Sequence, residues 1–117
     1  MKEFLLIFRN NFNNMPKVSE EETNANTKKW MDWIGGIAAQ NKLSNRGNRL
    51  ATSGKVLRSN NAIIDGPYTE VKESVGGYSI IKADSYEEAV EIAKGCPVLK
   101  QGGNVEVREI DIYKANY

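Results

Sequence analysis

One short segment of this chain, residues 65–78, concentrates the side chains that could do chemistry. It reads Asp-Gly-Pro-Tyr-Thr-Glu-Val-Lys-Glu-Ser-Val-Gly-Gly-Tyr, so acids, a lysine and two tyrosines flank turn-forming residues. A carboxylate in a cleft can act as a general base when its pKa is raised, and turns that follow strands are common places for sites. The pattern therefore predicts a pocket bordered by this segment, with Asp65 and Glu73 as candidate catalytic bases.

Each of these acids also has a purely structural interpretation. Asp before Gly-Pro is a common turn pattern, in which the carboxylate of Asp65 would accept backbone N–H bonds, and this favours a role in the turn. Lys72 and Glu73 could form a solvated ion pair worth about 0–1 kcal/mol, or an anion-binding cation beside a proton-transferring carboxylate. For Lys72 and Glu73 both interpretations stay open.

Four residues are candidate ligand-binding residues of this pocket: Arg49, Tyr68, Lys72 and Tyr78. Arg49 lies on an expected strand, and we expect it to point into the structure, where a guanidinium can bind a carboxylate through two hydrogen bonds. Tyrosine is amphipathic, so Tyr68 and Tyr78 could offer hydroxyls to a ligand or simply pack.

Hydrophobic periodicity predicts the elements that must position these residues. The apolar run at residues 4–8 predicts a strand. Ser19 and Glu22 match a capping box ahead of a helix that ends near residue 40, and Ser85 and Glu88 match a second one. Further strands are expected at residues 48–51, 55–58, 62–64, 77–83 and 105–112. The order is that of an α+β protein with a split β-α-β pattern and an inserted β-hairpin, in a single domain over residues 1–117.

The apolar stripe of the long helix is expected to contact the sheet. Its members recur at helical spacing: Trp30, Trp33, Ile34, Ile37 and Ala38. A glycine pair at residues 35–36 interrupts this helix, although each such glycine costs roughly 1 kcal/mol relative to alanine. The pair indicates close packing against the sheet, a kink, or room for a ligand beside Trp33.

The first strand is apolar on both of its faces. Phe4, Leu6 and Phe8 point one way, whereas Leu5 and Ile7 point the other. One layer of helices covers one face, and no element of the chain remains to cover the second. A second copy packed sheet against sheet is the physical solution, so we expect a homodimer.

The composition argues against several kinds of site and partner. The net charge is +1, from 16 basic and 15 acidic residues, which gives no electrostatic case for binding nucleic acid. The chain has no histidine and one cysteine, Cys96, so we expect no metal site and no internal disulfide. The Gly-Gly-Asn run at residues 102–104 lacks the phosphate-loop and dinucleotide-binding patterns, and we expect no cofactor. The lack of a disulfide fits the cytoplasm, and no apolar run is long enough for a signal peptide or a membrane span. We expect Cys96 to be half-buried and inert.

The chain resembles the YCII-related (DGPF) family over nearly its whole length. The resemblance is carried by Asp65-Gly66-Pro67-Tyr68, Lys72-Glu73, Gly76-Gly77-Tyr78, the opening Met-Lys-Glu-Phe-Leu-Leu-Ile and residues 103–108. It implies a ferredoxin-like fold assembled as a dimeric α+β barrel. Domains of this family are often associated with sigma-factor-type regulators. This chain carries no such regulator domain, so the resemblance implies that any regulatory partner is supplied in trans. Tyr68 stands where the family often has phenylalanine, and the His-Asp pair attributed to some relatives cannot operate here without a histidine.

Two functions are compatible with these residues. The first is a small-molecule-binding or accessory protein whose cleft near residues 65–78 holds a small anionic molecule. The second is an enzyme that catalyses proton transfer or elimination on a small organic acid or lactone, with Asp65 or Glu73 as the base and Arg49 or Lys72 as electrostatic stabiliser. The absence of histidine and of a poised pair of carboxylates favours the first.

Overall fold

The structure is a computed structural model that describes residues 1–10, 19–66 and 74–111. Its strands are β1 (Lys2–Asn10), β2 (Leu43–Arg49), β3 (Gly54–Leu57), β4 (Ile63–Gly66), β5 (Ser74–Ala83) and β6 (Asn104–Glu109). Its helices are α1 (Glu20–Ala39), α2 (Tyr86–Ala93) and a short 3₁₀ helix at Pro97–Gln101. The succession of strands and long helices is the one that the sequence predicts.

Four of the strands form one antiparallel sheet in the order β2-β5-β1-β6. The first strand, β1, is central and pairs with β5 on one edge and with β6 on the other. The two remaining strands, β3 and β4, form a separate hairpin, which we call the arm (residues 54–66). This order is that of a ferredoxin-like α+β fold with the arm inserted between its second and third strands. The ferredoxin-like α+β fold expected for a single copy of the chain is therefore confirmed.

Capping serines determine where both long helices begin. The Oγ of Ser19 accepts a hydrogen bond from the Glu22 N–H at 3.1 Å, and the Oγ of Ser85 accepts one from the Glu88 N–H at 3.2 Å. These contacts satisfy backbone donors that a helix start leaves unpaired. Both serine caps are therefore confirmed. The return bond of a capping box is not formed by either glutamate, and the Glu88 carboxylate instead pairs with the Nζ of Lys42 at 3.0 Å. No helix within the described ranges is apolar over the length that a membrane crossing requires.

The core lies between the sheet and the helices. Alternate residues of β1, namely Phe4, Leu6 and Phe8, are buried against the helices. The other buried members of this core are Ile37, Ile81, Ala83, Ala89, Ala93, Cys96 and Val98. Trp33 packs at its margin, where the ring meets Phe8 edge-on with centroids 5.9 Å apart. The Trp33 Nε1 also donates to the Ile92 carbonyl at 3.0 Å, and this bond joins α1 to α2.

Some local expectations are wrong, and some fall outside the described residues. Ala38 is exposed, so the buried stripe of α1 is narrower than its spacing indicated. Lys100 and Gln101, expected in a loop, belong to the 3₁₀ helix, which Pro97 opens because proline suits a first helical turn. The fifth strand begins earlier than expected, and the sixth ends at residue 109 rather than 112. Asn10, expected to begin a loop that runs to residue 17, is instead the buried last residue of β1. The rest of that loop and the turn after residue 66 lie outside the described ranges.

The second face of the sheet carries partly exposed apolar residues. Leu5 is paired with Ile80, and Ile7 is paired with Tyr78, so these four side chains point away from the buried face. The helices lie on the other side of the sheet. We call the surface that the helices do not cover the open face. It includes Leu5 and Ile7, the two residues that the sequence predicted to need a cover from a second copy.

Truncation of Trp33 should weaken the joint between α1 and α2. Trp33→Ala removes a half-buried ring and the hydrogen bond to Ile92, so we expect a loss of about 3 kcal/mol in the free energy of unfolding. Urea denaturation followed by circular dichroism measures this loss. Met31→Ala is the matched control, because Met31 is 57% exposed on the same helix and should change stability by less than about 0.5 kcal/mol. A Trp33→Ala midpoint equal to that of the wild type would show that the ring is not part of the core.

Candidate functional site

A row of side chains crosses all four strands on the open face. Asn48, Tyr78, Ile7 and Glu106 are successive partners in the register from β2 to β6, so their side chains point to the same side. The Asn48 Nδ2 donates a hydrogen bond to the Tyr78 hydroxyl oxygen at 3.1 Å. The row thus places an aromatic ring and hydrogen-bonding groups beside an aliphatic side chain, which is the mixture that small-molecule sites use.

Two arginines lie beside Glu106 at one end of this row. The Nη2 of Arg9 is 3.1 Å from Glu106 Oε1, and its Nε donates to the same oxygen at 3.2 Å. The Nε of Arg108 lies 4.0 Å from Glu106 Oε2, and the Arg108 side chain is 69% exposed. Because a guanidinium has five N–H donors, Arg108 keeps donors that a ligand or a partner could use.

A bulge in β2 sets the direction of Asn48. The register between β2 and β5 shifts between Asn45 and Asn48, and Gly47 within this bulge has a φ of +73°. A Cβ at Gly47 would lie 1.7 Å from the Tyr78 carbonyl oxygen, so no other residue fits unless the strand moves. The Asn45 Oδ1 accepts the Gly47 N–H at 2.8 Å and holds the bulge. Asn48 was not among the predicted site residues, although the Asn-Arg-Gly-Asn run was a signal for this bulge.

Asp65 lies on the arm rather than on the four-stranded sheet. Its carboxylate forms an ion pair with the Nζ of Lys55 directly across the hairpin. The Asp65 side chain is 88% exposed, and such exposed pairs contribute about 0–1 kcal/mol. Among the described residues, no hydrogen bond or ion pair joins Asp65 to Arg49 or to Tyr78.

The structure places Arg49 and Tyr78 on opposite sides of the sheet. Arg49 ends β2 opposite Gly77, one step along the register from the Asn48–Tyr78 pair, so its side chain points to the other face. Arg49 is exposed there, and the expectation that it points into the structure is therefore wrong. The other predicted site residues, Tyr68, Lys72 and Glu73, lie outside the described ranges.

A shallow groove lies on the helix side of the molecule, away from Tyr78. Its volume is about 260 Å³, and it is lined by Asp32, Trp33, Gly36, Ile37, Gln40, Glu91, Ile92 and Gly95. Pockets for small ligands usually measure about 300–1,000 Å³, so this groove is small for such a role. A Cβ on Gly35 or Gly36 would meet no heavy atom within 4 Å. Close packing against the sheet therefore does not explain the glycine pair.

Cys96 cannot serve as a nucleophile in the folded protein at neutral pH. The residue is 2% exposed, and burial raises the pKa of its thiol from 9.0 to about 12, although a backbone hydrogen bond at Val98 acts in the opposite direction. The thiolate is the reactive form, so a protonated, buried thiol is inert. The expectation that Cys96 is only half-buried is wrong, because the residue belongs to the core. Within residues 1–10, 19–66 and 74–111, no three His, Cys, Asp or Glu side chains come close enough to hold a metal ion.

The fold and the open face define a small α+β protein of the ferredoxin-like class. A profile of the YCII-related domain matches residues 4–111, so the chain belongs to the YCII-related domain family. One similar solved structure is 5-chloro-2-hydroxyhydroquinone dehydrochlorinase from Burkholderia phenoliruptrix in complex with 2,5-dihydroxybenzoquinone. It has a TM-score of 0.50 and 18% identity to this chain, over 96% of each of the two chains. At this identity the likeness shows the fold alone. No curated protein matches the chain significantly.

Native Cys96 should resist thiol reagents. At about pH 8 we expect no reaction with a chromogenic disulfide reagent within minutes, and reaction of the single thiol after denaturation, because burial keeps it protonated. Above about pH 9 the unfolded chain loses this proton first, while burial keeps the native thiol protonated, so the thiol should make the free energy of unfolding fall as the pH rises. Cys96→Ala is the control, and it should remove that part of the slope. Rapid labelling of the native protein would contradict the burial.

Proposed function

We propose that the protein is a homodimer that binds a small anionic organic molecule in a cleft between the open faces of two sheets. The observation that carries this proposal is the hydrogen bond between Asn48 and Tyr78 on a sheet face that the helices do not cover. Tyr78 is the last residue of the 65–78 segment, and β5 brings it to the open face. The segment that the sequence singles out therefore ends at a residue of the proposed cleft.

The open face has the composition of a protein interface. Its centre is apolar, with Leu5 and Ile7 of β1 beside Ile80 of β5. Charged residues surround this centre: Glu3, Arg9, Lys82, Glu106 and Arg108. An apolar centre with a polar rim is typical of protein–protein contacts, and stacked sheets pack about 10 Å apart. A two-fold axis would bury the centre of one copy against the same centre of the other.

The class of ligand follows from the donors on this face. The guanidinium of Arg108 and the hydroxyl of Tyr78 suit oxygen anions, and the Tyr78 ring can stack on a flat molecule. The dehydrochlorinase of the same fold was solved with 2,5-dihydroxybenzoquinone, a flat ring with ionisable hydroxyls. This compound is a suitable probe for the proposed cleft. In this proposal residues 1–117 form one cytoplasmic domain, and any regulatory partner is supplied in trans.

A second candidate function is an enzyme that catalyses proton transfer or elimination on a small organic acid or lactone. The observation in its favour is that the solved neighbour is a dehydrochlorinase. Asp65 or Glu73 would be the base. Asp65, however, lies in an exposed ion pair with Lys55 rather than in a closed cleft beside a substrate. A general base must be within hydrogen-bond reach of the proton it removes, so this placement supports binding over catalysis.

Removal of the Tyr78 hydroxyl should weaken binding of the probe. Tyr78→Phe keeps the ring but loses one hydrogen bond, so we expect the dissociation constant for 2,5-dihydroxybenzoquinone to rise about threefold to tenfold. Isothermal titration calorimetry measures the constant. Tyr86→Phe is the matched control, because Tyr86 belongs to α2 on the helix side of the sheet. Its hydroxyl oxygen accepts a hydrogen bond from the Glu109 N–H at 2.9 Å, so its loss should leave binding of the probe unchanged. If the wild-type protein does not bind the probe, flat molecules with oxygen anions are excluded as its ligands.

An assay of chloride release with the same protein distinguishes a binding protein from an enzyme. We expect no chloride release from 5-chloro-2-hydroxyhydroquinone above the rate in buffer. Chloride release that is lost in Asp65→Asn or Glu73→Gln, with the fold and probe binding retained, would instead support the enzyme, since neither amide can accept a proton at neutral pH.

A charge at the centre of the open face should prevent association. Ile7→Lys places an ammonium group where the two sheets meet, and we expect the dissociation constant of the dimer to rise roughly a hundredfold or more. Sedimentation velocity at micromolar concentration measures association, and circular dichroism confirms that the monomer stays folded. Met31→Lys, on the exposed side of α1, should leave association unchanged. A wild-type protein that is monomeric at these concentrations would refute the dimer.

A further inference from the structure

The groove on the helix side of the molecule lies between α1 and the end of α2, and part of its lining is apolar. Trp33, Ile37 and Ile92 supply these apolar side chains. The Ile92 carbonyl accepts two hydrogen bonds, from the Trp33 Nε1 at 3.0 Å and from the Gly95 N–H at 3.3 Å. A carbonyl oxygen has two lone pairs, so both are already used. At this point the groove therefore offers a ligand apolar contact rather than a hydrogen-bond acceptor.

Two glycines shape the groove, one on each of its walls. Gly36 lines it from α1, and a Cβ there would meet no heavy atom within 4 Å, so a side chain would occupy open space. Gly95 lines it just beyond α2, and a Cβ there would lie 2.9 Å from the Trp33 Cδ1, so a larger residue would displace the indole. A glycine inside a helix destabilises it relative to alanine, and the described residues give no packing reason for Gly36. What Gly36 provides is space in the groove.

The charged side chains that line the groove are both acidic. Asp32 lies on α1 and Glu91 on α2, and the remaining polar side chain of the lining is the neutral Gln40. The Nζ of Lys28 pairs with Asp32 Oδ2 at 3.0 Å, and the Nζ of Lys94 pairs with Glu91 Oε1 at 2.6 Å, but neither lysine lines the groove. Such exposed pairs are weak, and a carboxylate has further lone pairs that can accept. The lining therefore favours a cation over an anion.

We propose that this groove binds a small organic ammonium ion that carries a short apolar body. The body contacts Trp33 and Ile37, and the ammonium group donates hydrogen bonds to Asp32 or Glu91 at the rim. An ammonium group only donates and a carboxylate only accepts, so the two are complementary, and an aromatic ring nearby adds attraction for a cation. The groove volume of about 260 Å³ is below the range for drug-sized molecules, so it suits a ligand of roughly ten non-hydrogen atoms.

The size of the groove favours a free amine over a basic segment of a protein partner. Specific protein interfaces bury about 800 Å² on each partner, whereas the apolar side chains of this groove are three. The groove also lies on the opposite side of the sheet from Tyr78. Its ligand is therefore independent of the proposed cleft and of a dimer.

Titration with 2-phenylethylamine, followed by NMR spectroscopy, tests the site. We expect saturable shifts of the Trp33 indole N–H signal and a dissociation constant on the order of millimolar. 2-Phenylethanol has the same apolar body with a neutral hydroxyl group, and we expect it to bind at least about fivefold more weakly. Equal binding of the two compounds would overturn the cation site. So would the absence of a saturable shift up to about 50 mM amine.

Filling the groove from α1 should prevent binding without loss of the fold. In Gly36→Leu we expect the dissociation constant of the amine to rise at least about tenfold and the Tm to stay at or above that of the wild type, because leucine is the better helix former. Gly36→Ala, which adds only a methyl group, should show a smaller loss in the same direction.

The matched control is the neighbouring glycine. Gly35 is exposed in the same helix and does not line the groove, and a Cβ there would also meet no heavy atom within 4 Å. Gly35→Leu should therefore leave amine binding unchanged. Equal losses in the Gly35→Leu and Gly36→Leu variants would show that the helix backbone rather than the groove governs binding, and would overturn the proposal.

Removal of both charges tests the role of the acids. In the double variant Asp32→Asn, Glu91→Gln, amine binding should fall to the level of 2-phenylethanol and lose its dependence on salt. Glu87→Gln is the control, because Glu87 is an exposed acid of α2 that does not line the groove. Amine binding that is unchanged in the double variant would overturn the proposal.

Two further measurements separate this site from other occupants and from the open face. Tyr78→Phe should leave amine binding unchanged, so this site and the proposed cleft can fail independently of each other. The peptide N-acetyl-Leu-Lys-Leu amide presents a lysine side chain, and we expect it to bind more weakly than the amine. Tighter binding of this peptide, lost in Gly36→Leu, would assign the groove to a protein partner and overturn the free ligand.

Discussion

The structure depends on burying a central strand that is apolar on both of its faces. Hydrogen bonds to β5 and β6 occupy both edges of β1, so neither edge is left for another strand. Phe4, Leu6 and Phe8 occupy the helix side, where Trp33 and α2 close over them. Leu5 and Ile7 stay partly exposed on the other side. Apolar surface left in water costs roughly 25 cal/mol per Å², which is the physical basis of the proposed dimer.

The edge strand β2 connects the packing of the core to the chemistry of the open face. Ser79 is 2% exposed, and its hydroxyl donates to the Arg46 carbonyl at 2.7 Å, which satisfies a polar group that burial would otherwise leave unpaired. Arg46 and Gly47 lie in the same bulge that turns Asn48 towards Tyr78. The bulge therefore serves both faces of the sheet: it satisfies Ser79 on the buried face, and it places the Asn48–Tyr78 hydrogen bond on the open face. The irregular, polar strand also discourages pairing with other chains along this edge.

The family signature occupies the join between two parts of the molecule. Residues 65–78 include the last two residues of β4 in the arm and the first five residues of β5. Binding sites are often found where separately packed units meet, because such joins leave concave, water-accessible space. The signature therefore has a structural role and a proposed functional role that cannot be separated by composition alone. The pairing of Asp65 with Lys55 across the arm belongs to the first role.

Local patterns in the sequence were sufficient to predict both long helices, the first strand and the order of elements, whereas the ferredoxin-like fold was implied by the family resemblance. Ser19 and Ser85 cap the helices through contacts within three residues, and alternation along β1 shows which residues share a face. Tertiary structure alone decided the direction of Arg49, the ion pair of Asp65 and the pairing of Asn48 with Tyr78. Each of these depends on strand register, and a single extra residue at the Gly47 bulge reverses the face to which the next side chain points. A bulge is set by contacts between strands that lie far apart in the chain, so local spacing could indicate the site segment but not the side chains that meet there.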